Sequence, residues 1–136
     1  MPAFTSAAIL GSGSFGTALA TLLAPSLDEI VLIGREEDVA KTINREHRNP
    51  RYLTSIALPE NVRASTSMAD AAGHSLIAFA VPTAATRAAA STLAEIGIDP
   101  SRVLLSCAKG IEKQTGDRMS EILREIFPAN PIAVLS

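Results

Sequence analysis

Short apolar and β-branched runs alternate along this chain with stretches in which apolar residues recur every three or four positions. The first kind predicts strands over residues 7–10, 29–33, 62–65, 75–81, 103–108 and 132–135. The second predicts helices over residues 16–23, 37–46, 68–72, 84–96 and 117–127. The last of these is the cleanest, with Met119, Ile122, Leu123 and Ile126 on one face and Arg118, Glu121, Arg124 and Glu125 on the other. Pro128 then stops it, and Ser67 is placed to cap the third helix with Asp70 at its third position. Strands that are apolar throughout and separated by helices call for crossover connections. The expected architecture is therefore a single α/β domain, doubly wound, with a mainly parallel sheet and helices on both faces. One stretch breaks the rhythm. Residues 48–60, containing Asn49-Pro50-Arg51-Tyr52-Leu53 and Leu58-Pro59, form a connection longer than most of its kind.

Composition narrows the function. The 136 residues carry Lys+Arg 12 against Asp+Glu 14, a formal charge of -2 that offers no electrostatic footprint for nucleic acid or an anionic membrane. A small-molecule partner is the expectation. The longest apolar run, Leu76 to Val81, ends at Pro82 and is far short of the roughly 20 residues a bilayer span requires. Met1 to Ala8 reads as the approach to a strand and not as a signal peptide. With the single cysteine Cys107, these features point to a reducing, cytoplasmic setting. His47 and His74 have no metal-ligand spacing with each other or with Cys107, so no metal site is expected.

The chemistry sits where strands end. Gly11-Ser12-Gly13-Ser14-Phe15-Gly16 follows the first apolar run and opens an alanine-rich helix, the setting in which GxGxxG binds a dinucleotide. There Gly11 permits the tight bend, Gly13 lets backbone N–H groups approach a pyrophosphate, and Gly16 lets helix pack on strand. This makes the fold Rossmann-type. In such a sheet, ligands lie beyond the carboxyl ends of the strands, which collects the glycine loop, Gly34-Arg35, Pro82 and Lys109 at one edge. The second strand lacks the usual terminal carboxylate, and Arg35 following Gly34 favours NADP over NAD, with the adjacent Glu36 opposing that preference. Lys109 is a cation at the strand exit able to touch both nicotinamide and a phosphorylated substrate. Cys107 reads as a strand residue without a base to activate it. Arg45, His47, Arg48 and Arg51 form a basic cluster that either guides phosphate or merely ends a helix. Tyr52 fits core packing and a lid contact equally well.

Taken together, these motifs resemble the bacterial NAD(P)-dependent glycerol-3-phosphate dehydrogenases. The resemblance runs in order through Gly11 to Ala20, Gly34-Arg35, Asn49 to Leu53 with Leu58-Pro59, Val81-Pro82, Ala108-Lys109-Gly110-Ile111-Glu112 and Ala133-Val134-Leu135-Ser136. It implies that Ser14 and Phe15 line the pyrophosphate and nicotinamide region, Arg35 meets the adenosine phosphate, Tyr52 closes over the cofactor, and Lys109 contacts both cofactor and glycerol 3-phosphate. Phe15 stands where the family commonly has Trp or Tyr, and Pro25-Ser26-Leu27-Asp28 replaces a glycine-containing turn. The family's proton-donating lysine belongs to a C-terminal helical domain that these residues do not include. The expectation is thus a cofactor-binding domain over residues 1–136, with no catalytic residue of its own, little turnover alone, and a place in phospholipid synthesis within a homodimeric full-length enzyme. Two rivals are the cofactor domain of another two-domain hydroxyacid or ketone dehydrogenase, and a nucleotide-sensing or interaction module.

Overall fold

The computed structural model describes residues 4–135. Six strands, β1 (Ser6–Leu10), β2 (Glu29–Ile33), β3 (Val62–Ser65), β4 (Leu76–Phe79), β5 (Val103–Ser106) and β6 (Ile132–Val134), form one sheet in the order β3-β2-β1-β4-β5-β6. Every neighbouring pair is parallel. Four α-helices, α1 (Ser14–Leu23), α2 (Glu37–Glu46), α3 (Thr83–Ile96) and α4 (Met119–Ile126), make the crossovers together with a 3₁₀ turn at Met68–Ala71.

Two cores follow from the strand alternation. Ala7, Ile9, Ile30, Leu32, Val62 and Ala64 point to one face, where Leu19 and Ala20 of α1 and Val39 and Ile43 of α2 cover them. Ala8, Leu10, Val31, Ile33, Ile77 and Phe79 point to the other, covered by Ala90 and Leu93 of α3 and Leu123 of α4. Because both faces are covered, the strands read as continuous apolar runs.

Several boundaries move for identifiable reasons. The helix expected over residues 68–72 is a 3₁₀ turn, and Ser67 makes no side-chain cap. Ser65 takes that role: its hydroxyl accepts from the Ser67 N–H at 3.0 Å and donates to Asp70. The last helix starts at Met119, not at residue 117, because Asp117 is drawn back to accept from the Glu112 N–H at 2.8 Å. Glu121 accepts from the Arg118 N–H at 2.9 Å and fixes that start. The runs expected over 75–81 and 103–108 leave the sheet early, at Phe79 and Ser106, and so turn Pro82 and Lys109 out toward solvent. Ser136, the last residue of the motif ending at the sixth strand, lies outside the described residues.

Ile9, fully buried on the central strand between β2 and β4, tests this packing. Ile9→Ala is expected to lower unfolding free energy by about 2–5 kcal/mol in a denaturant titration.

Candidate functional site

Parallel strands all end at the same edge, so β1, β2, β4 and β5 deliver their exit loops together. The sequence reverses direction across the sheet between β1 and β4, which opens a crevice there. Backbone hydrogen bonds carry the pairing one residue beyond the strands: Gly11 N–H donates to Ile33 O at 2.8 Å, Ala80 N–H to Leu10 O at 2.8 Å, and Cys107 N–H to Phe79 O at 3.1 Å. The loops therefore leave a rigid platform.

The glycine loop is shaped by contacts no side chain would permit. Gly11 has φ +118°, and a Cβ there would lie 2.5 Å from Ala80 O. A Cβ on Gly16 would collide with the carbonyl of Gly11. Gly13 differs, because a Cβ at that position would meet nothing within 4 Å. The space above Gly13 is open, and it lies at the start of α1. The first helical hydrogen bond runs from Thr17 N–H to Gly13 O at 3.0 Å, and no side chain caps the turn before it. No acidic residue stands in that first turn. The N–H groups of Ser14, Phe15 and Gly16 precede the helical ladder at the positive end of the helix dipole, an arrangement made for an anion. The exposed side chains of Ser14 and Phe15 flank it.

The long loop is held to this one by a single amide. Asn49 is fully buried. Its Nδ2 donates to Ser12 O at 2.9 Å and to Thr17 Oγ1 at 3.0 Å, while its Oδ1 accepts from the N–H groups of Arg51 at 2.9 Å and Tyr52 at 3.1 Å. Every hydrogen-bonding site of the amide is used. The consequence for Tyr52 is clear: its backbone is anchored and its ring is exposed, so it does not pack in the core. The far end of the loop is pinned by Leu58, buried, whose N–H donates to His47 O at 2.7 Å.

At the end of β2, a Cβ on Gly34 would strike the Ser12 hydroxyl, which explains why no side chain stands there. Arg35 is exposed and has no ion-pair partner among the described residues. The neighbouring Glu36 is paired elsewhere, with Arg51 Nη1 at 2.8 Å. The rest of the basic cluster does not converge: Arg45 pairs with Glu46 at 2.9 Å, and Arg48 reaches Thr54 O at 3.4 Å.

On the other side of the crevice, Pro82 precedes the first turn of α3, and Lys109 is exposed beyond β5. The Lys109 loop folds back as a small hairpin, with Ile111 bridged to Arg118. Arg87 of α3 grips it: Nε and Nη2 donate to the two oxygens of Glu112 at 2.8 and 3.0 Å, and Nη1 donates to Glu125 of α4 at 2.6 Å. The hydrogen bonds from Arg87, with a further one from Thr115, hold the Glu112 carboxyl below its ordinary range. Cys107 lies beside this loop with its thiol pushed up to about 11 by burial, which leaves it protonated and unreactive at neutral pH. Among the described residues, no group of three or more His, Cys, Asp or Glu side chains is placed to hold a metal ion. None of their helices is long and apolar enough to cross a membrane.

Asn49, Arg51 and Glu112 stand in the sequence motifs, but what they grip is not legible there. The one signal available was a polar Asn before proline inside an irregular stretch, a residue type that takes backbone partners when buried.

Known proteins share this sequence pattern and this fold. A family model described as NAD-dependent glycerol-3-phosphate dehydrogenase N-terminus matches residues 6–136. A protein of Streptomyces griseus named glycerol-3-phosphate dehydrogenase [NAD(P)+] is 44% identical over 133 residues, covering 96% of this chain and 39% of its own length. One of the same name from Brucella canis is 41% identical, covering 97% of this chain and 40% of its own length. The solved glycerol-3-phosphate dehydrogenase of Coxiella burnetii superposes with a TM-score of 0.86 at 29% identity, over 98% of this chain and 41% of that one. The chain thus spans about two fifths of the length of the relatives it matches.

Two outcomes test the site's construction. Gly13→Ala is expected to stay within about 1 kcal/mol of the parent in a denaturant melt, whereas Gly16→Ala should lose about 2–3 kcal/mol from its collision with the Gly11 carbonyl. Lowering the pH should loosen the Lys109 hairpin. The Glu112 carboxyl is depressed in the folded chain, so its contribution is complete above the ordinary carboxylate range and disappears as pH falls through the lowered value. Amide hydrogen exchange of residues 110–118 should therefore accelerate in acid relative to the sheet, and Glu112→Gln should show the faster exchange already at neutral pH.

Proposed function

The chain belongs to the NAD-dependent glycerol-3-phosphate dehydrogenase N-terminal family, and we propose that residues 1–136 are the cofactor-binding domain of such an enzyme, taking NADP ahead of NAD. The observation that carries this reading is the uncapped start of α1 facing the open space over Gly13, with the exit loops of four parallel strands gathered around it. A dinucleotide fits that description. Its pyrophosphate is assigned to the backbone of Gly11, Gly13, Ser14 and Gly16, held by N–H groups with no cationic side chain. Arg35, unpaired among the described residues, is assigned to the 2'-phosphate, where a guanidinium offers a forked, always-charged donor set. Phe15 and Tyr52 supply exposed aromatic surface, and Tyr52 is assigned to close over the bound cofactor. Pro82 shapes the crevice wall beside β4.

When bound, the nicotinamide supplies or accepts the hydride that interconverts dihydroxyacetone phosphate and glycerol 3-phosphate. The contribution of this chain is to bind and orient. Lys109, presented by the hairpin that Arg87 grips, is assigned to the cofactor and to the substrate phosphate, where a compact ammonium complements a dianion. The proton exchanged at the substrate oxygen requires a general acid or base, and we assign that group to a helical domain beyond these residues. The share of the relatives' length that the chain spans supports this division, as do the exposed Val134 and Leu135 at the outer edge of the sheet. We place the enzyme in the cytoplasm, as a homodimer in its full-length form.

Calorimetric titration of the chain with NADPH and NADH tests the reading. Saturable binding is expected, tighter for NADPH, and Arg35→Ala should weaken NADPH about tenfold while changing NADH little. A folded sample that binds neither cofactor overturns it. No reduction of dihydroxyacetone phosphate by the chain alone is expected, and measurable turnover would overturn the assignment of the proton donor to a separate domain.

A further inference from the structure

At the end of β2 the chain presents the guanidinium of Arg35, unpaired among the described residues, against three carboxylates in succession, Glu36, Glu37 and Asp38. A dianionic 2'-phosphate would meet more repulsion than attraction there. Glu37 is held by the Thr66 hydroxyl at 2.8 Å, which leaves its charge in place. What changes the balance comes from the long loop. Arg51 Nη1 lies 2.8 Å from Glu36, and its Nη2 lies 3.7 Å from Asp38.

We propose that Arg51 is a specificity-determining residue, which lets this site favour NADPH by neutralising the carboxylates of Glu36 and Asp38 beside the 2'-phosphate position. This rests on the cofactor-domain reading above. Arg51 is not a floppy surface cation that happens to lie near two acids. Its own N–H donates to Asn49 Oδ1 at 2.9 Å, and Asn49 is the buried amide that holds the glycine loop. The same residue therefore sets the backbone position of Arg51 and the shape of the pyrophosphate cradle. The guanidinium is delivered to Glu36 from backbone that the buried Asn49 amide holds. Arg35 is left without an ion-pair partner among the described residues, since the acid next to it in sequence is taken by Arg51. In NADH the ribose carries a hydroxyl and no phosphate, so screening Glu36 and Asp38 gains it nothing. Arg51 acts through the carboxylates, and it separates the two cofactors by the charge they differ in.

The Arg51–Glu36 pair is about half exposed and Asp38 is largely exposed, which keeps the effect modest and sensitive to salt. In calorimetric titrations, Arg51→Ala should weaken NADPH about fivefold and NADH less than about twofold, with the NADPH loss shrinking in about 0.5 M salt. Arg51→Lys, which keeps the charge, should recover most of the NADPH affinity. Glu36→Gln should raise NADPH affinity relative to NADH, and in that background Arg51→Ala should cost NADPH about twofold or less. Glu36→Gln also reads the effect if Arg51→Ala fails to fold. Equal loss of both cofactors in Arg51→Ala, or no loss of either, overturns the proposal while leaving the cofactor domain standing. An undiminished NADPH loss in the Glu36→Gln background overturns it too, because Arg51 would then be touching the phosphate itself. A folded parent chain that binds neither cofactor removes the cofactor-domain reading and this one with it.

Discussion

The carboxyl edge of the sheet depends on how closely the first turn of α1 sits on the end of β1. That approach exists because Gly11 and Gly16 carry no side chains: one lies against Ala80 and the other against the Gly11 carbonyl. Any Cβ at either place would push the helix away from the sheet. With the helix seated, its uncapped start stands directly after β1 at the carboxyl edge of the sheet. Burial of two apolar faces on a parallel sheet makes this seat rigid, since a strand covered on both sides has no room to tilt.

Asn49 then makes the seat specific. An unpaired buried amide is costly, and here all of its hydrogen-bonding sites are met by the glycine loop on one side and the Arg51 and Tyr52 backbone on the other. The long loop cannot shift without leaving these groups unsatisfied. A segment with no regular secondary structure thereby becomes part of the scaffold. A parallel device operates across the crevice, where Arg87 ties the Lys109 hairpin to α3 and α4. The two irregular segments at this edge are each fixed by one side chain with multiple partners. Exposed Tyr52 is presented on anchored backbone, and exposed Lys109 lies two residues before the bridge at Ile111.

Electrostatics at the β2 exit show why local sequence reads poorly as a guide to charge. Arg35 and Glu36 are neighbours in sequence, and adjacency suggested that the acid would oppose the guanidinium. In the fold Glu36 turns to Arg51, fifteen positions on, and Arg35 stays open to solvent. The basic cluster of Arg45, His47, Arg48 and Arg51 likewise looked like one patch. The helix ends at His47, φ 54°, and the three arginines take separate partners: Glu46 for Arg45, Thr54 for Arg48 and Glu36 for Arg51.

Along the chain, the order and type of the six strands and four α-helices are legible in the residues, as are the parallel sheet with two covered faces and the edge that gathers the glycine loop, Arg35, Pro82 and Lys109. Those features rest on periodicity and on glycine spacing, which are properties of a few consecutive residues. The folded arrangement of the chain is what tightens Met68–Ala71 to a 3₁₀ turn beside Ser65, delays α4 until Met119, and gives Asn49, Arg51 and Glu112 their partners. Each of these depends on groups brought together from separate segments or on a choice between competing hydrogen-bond partners. A hydrogen bond from Asn49 to Ser12 spans 37 positions, and the grip of Arg87 on Glu112 spans 25. No local pattern encodes such a pairing, because it exists only once the sheet has set the distance between the loops.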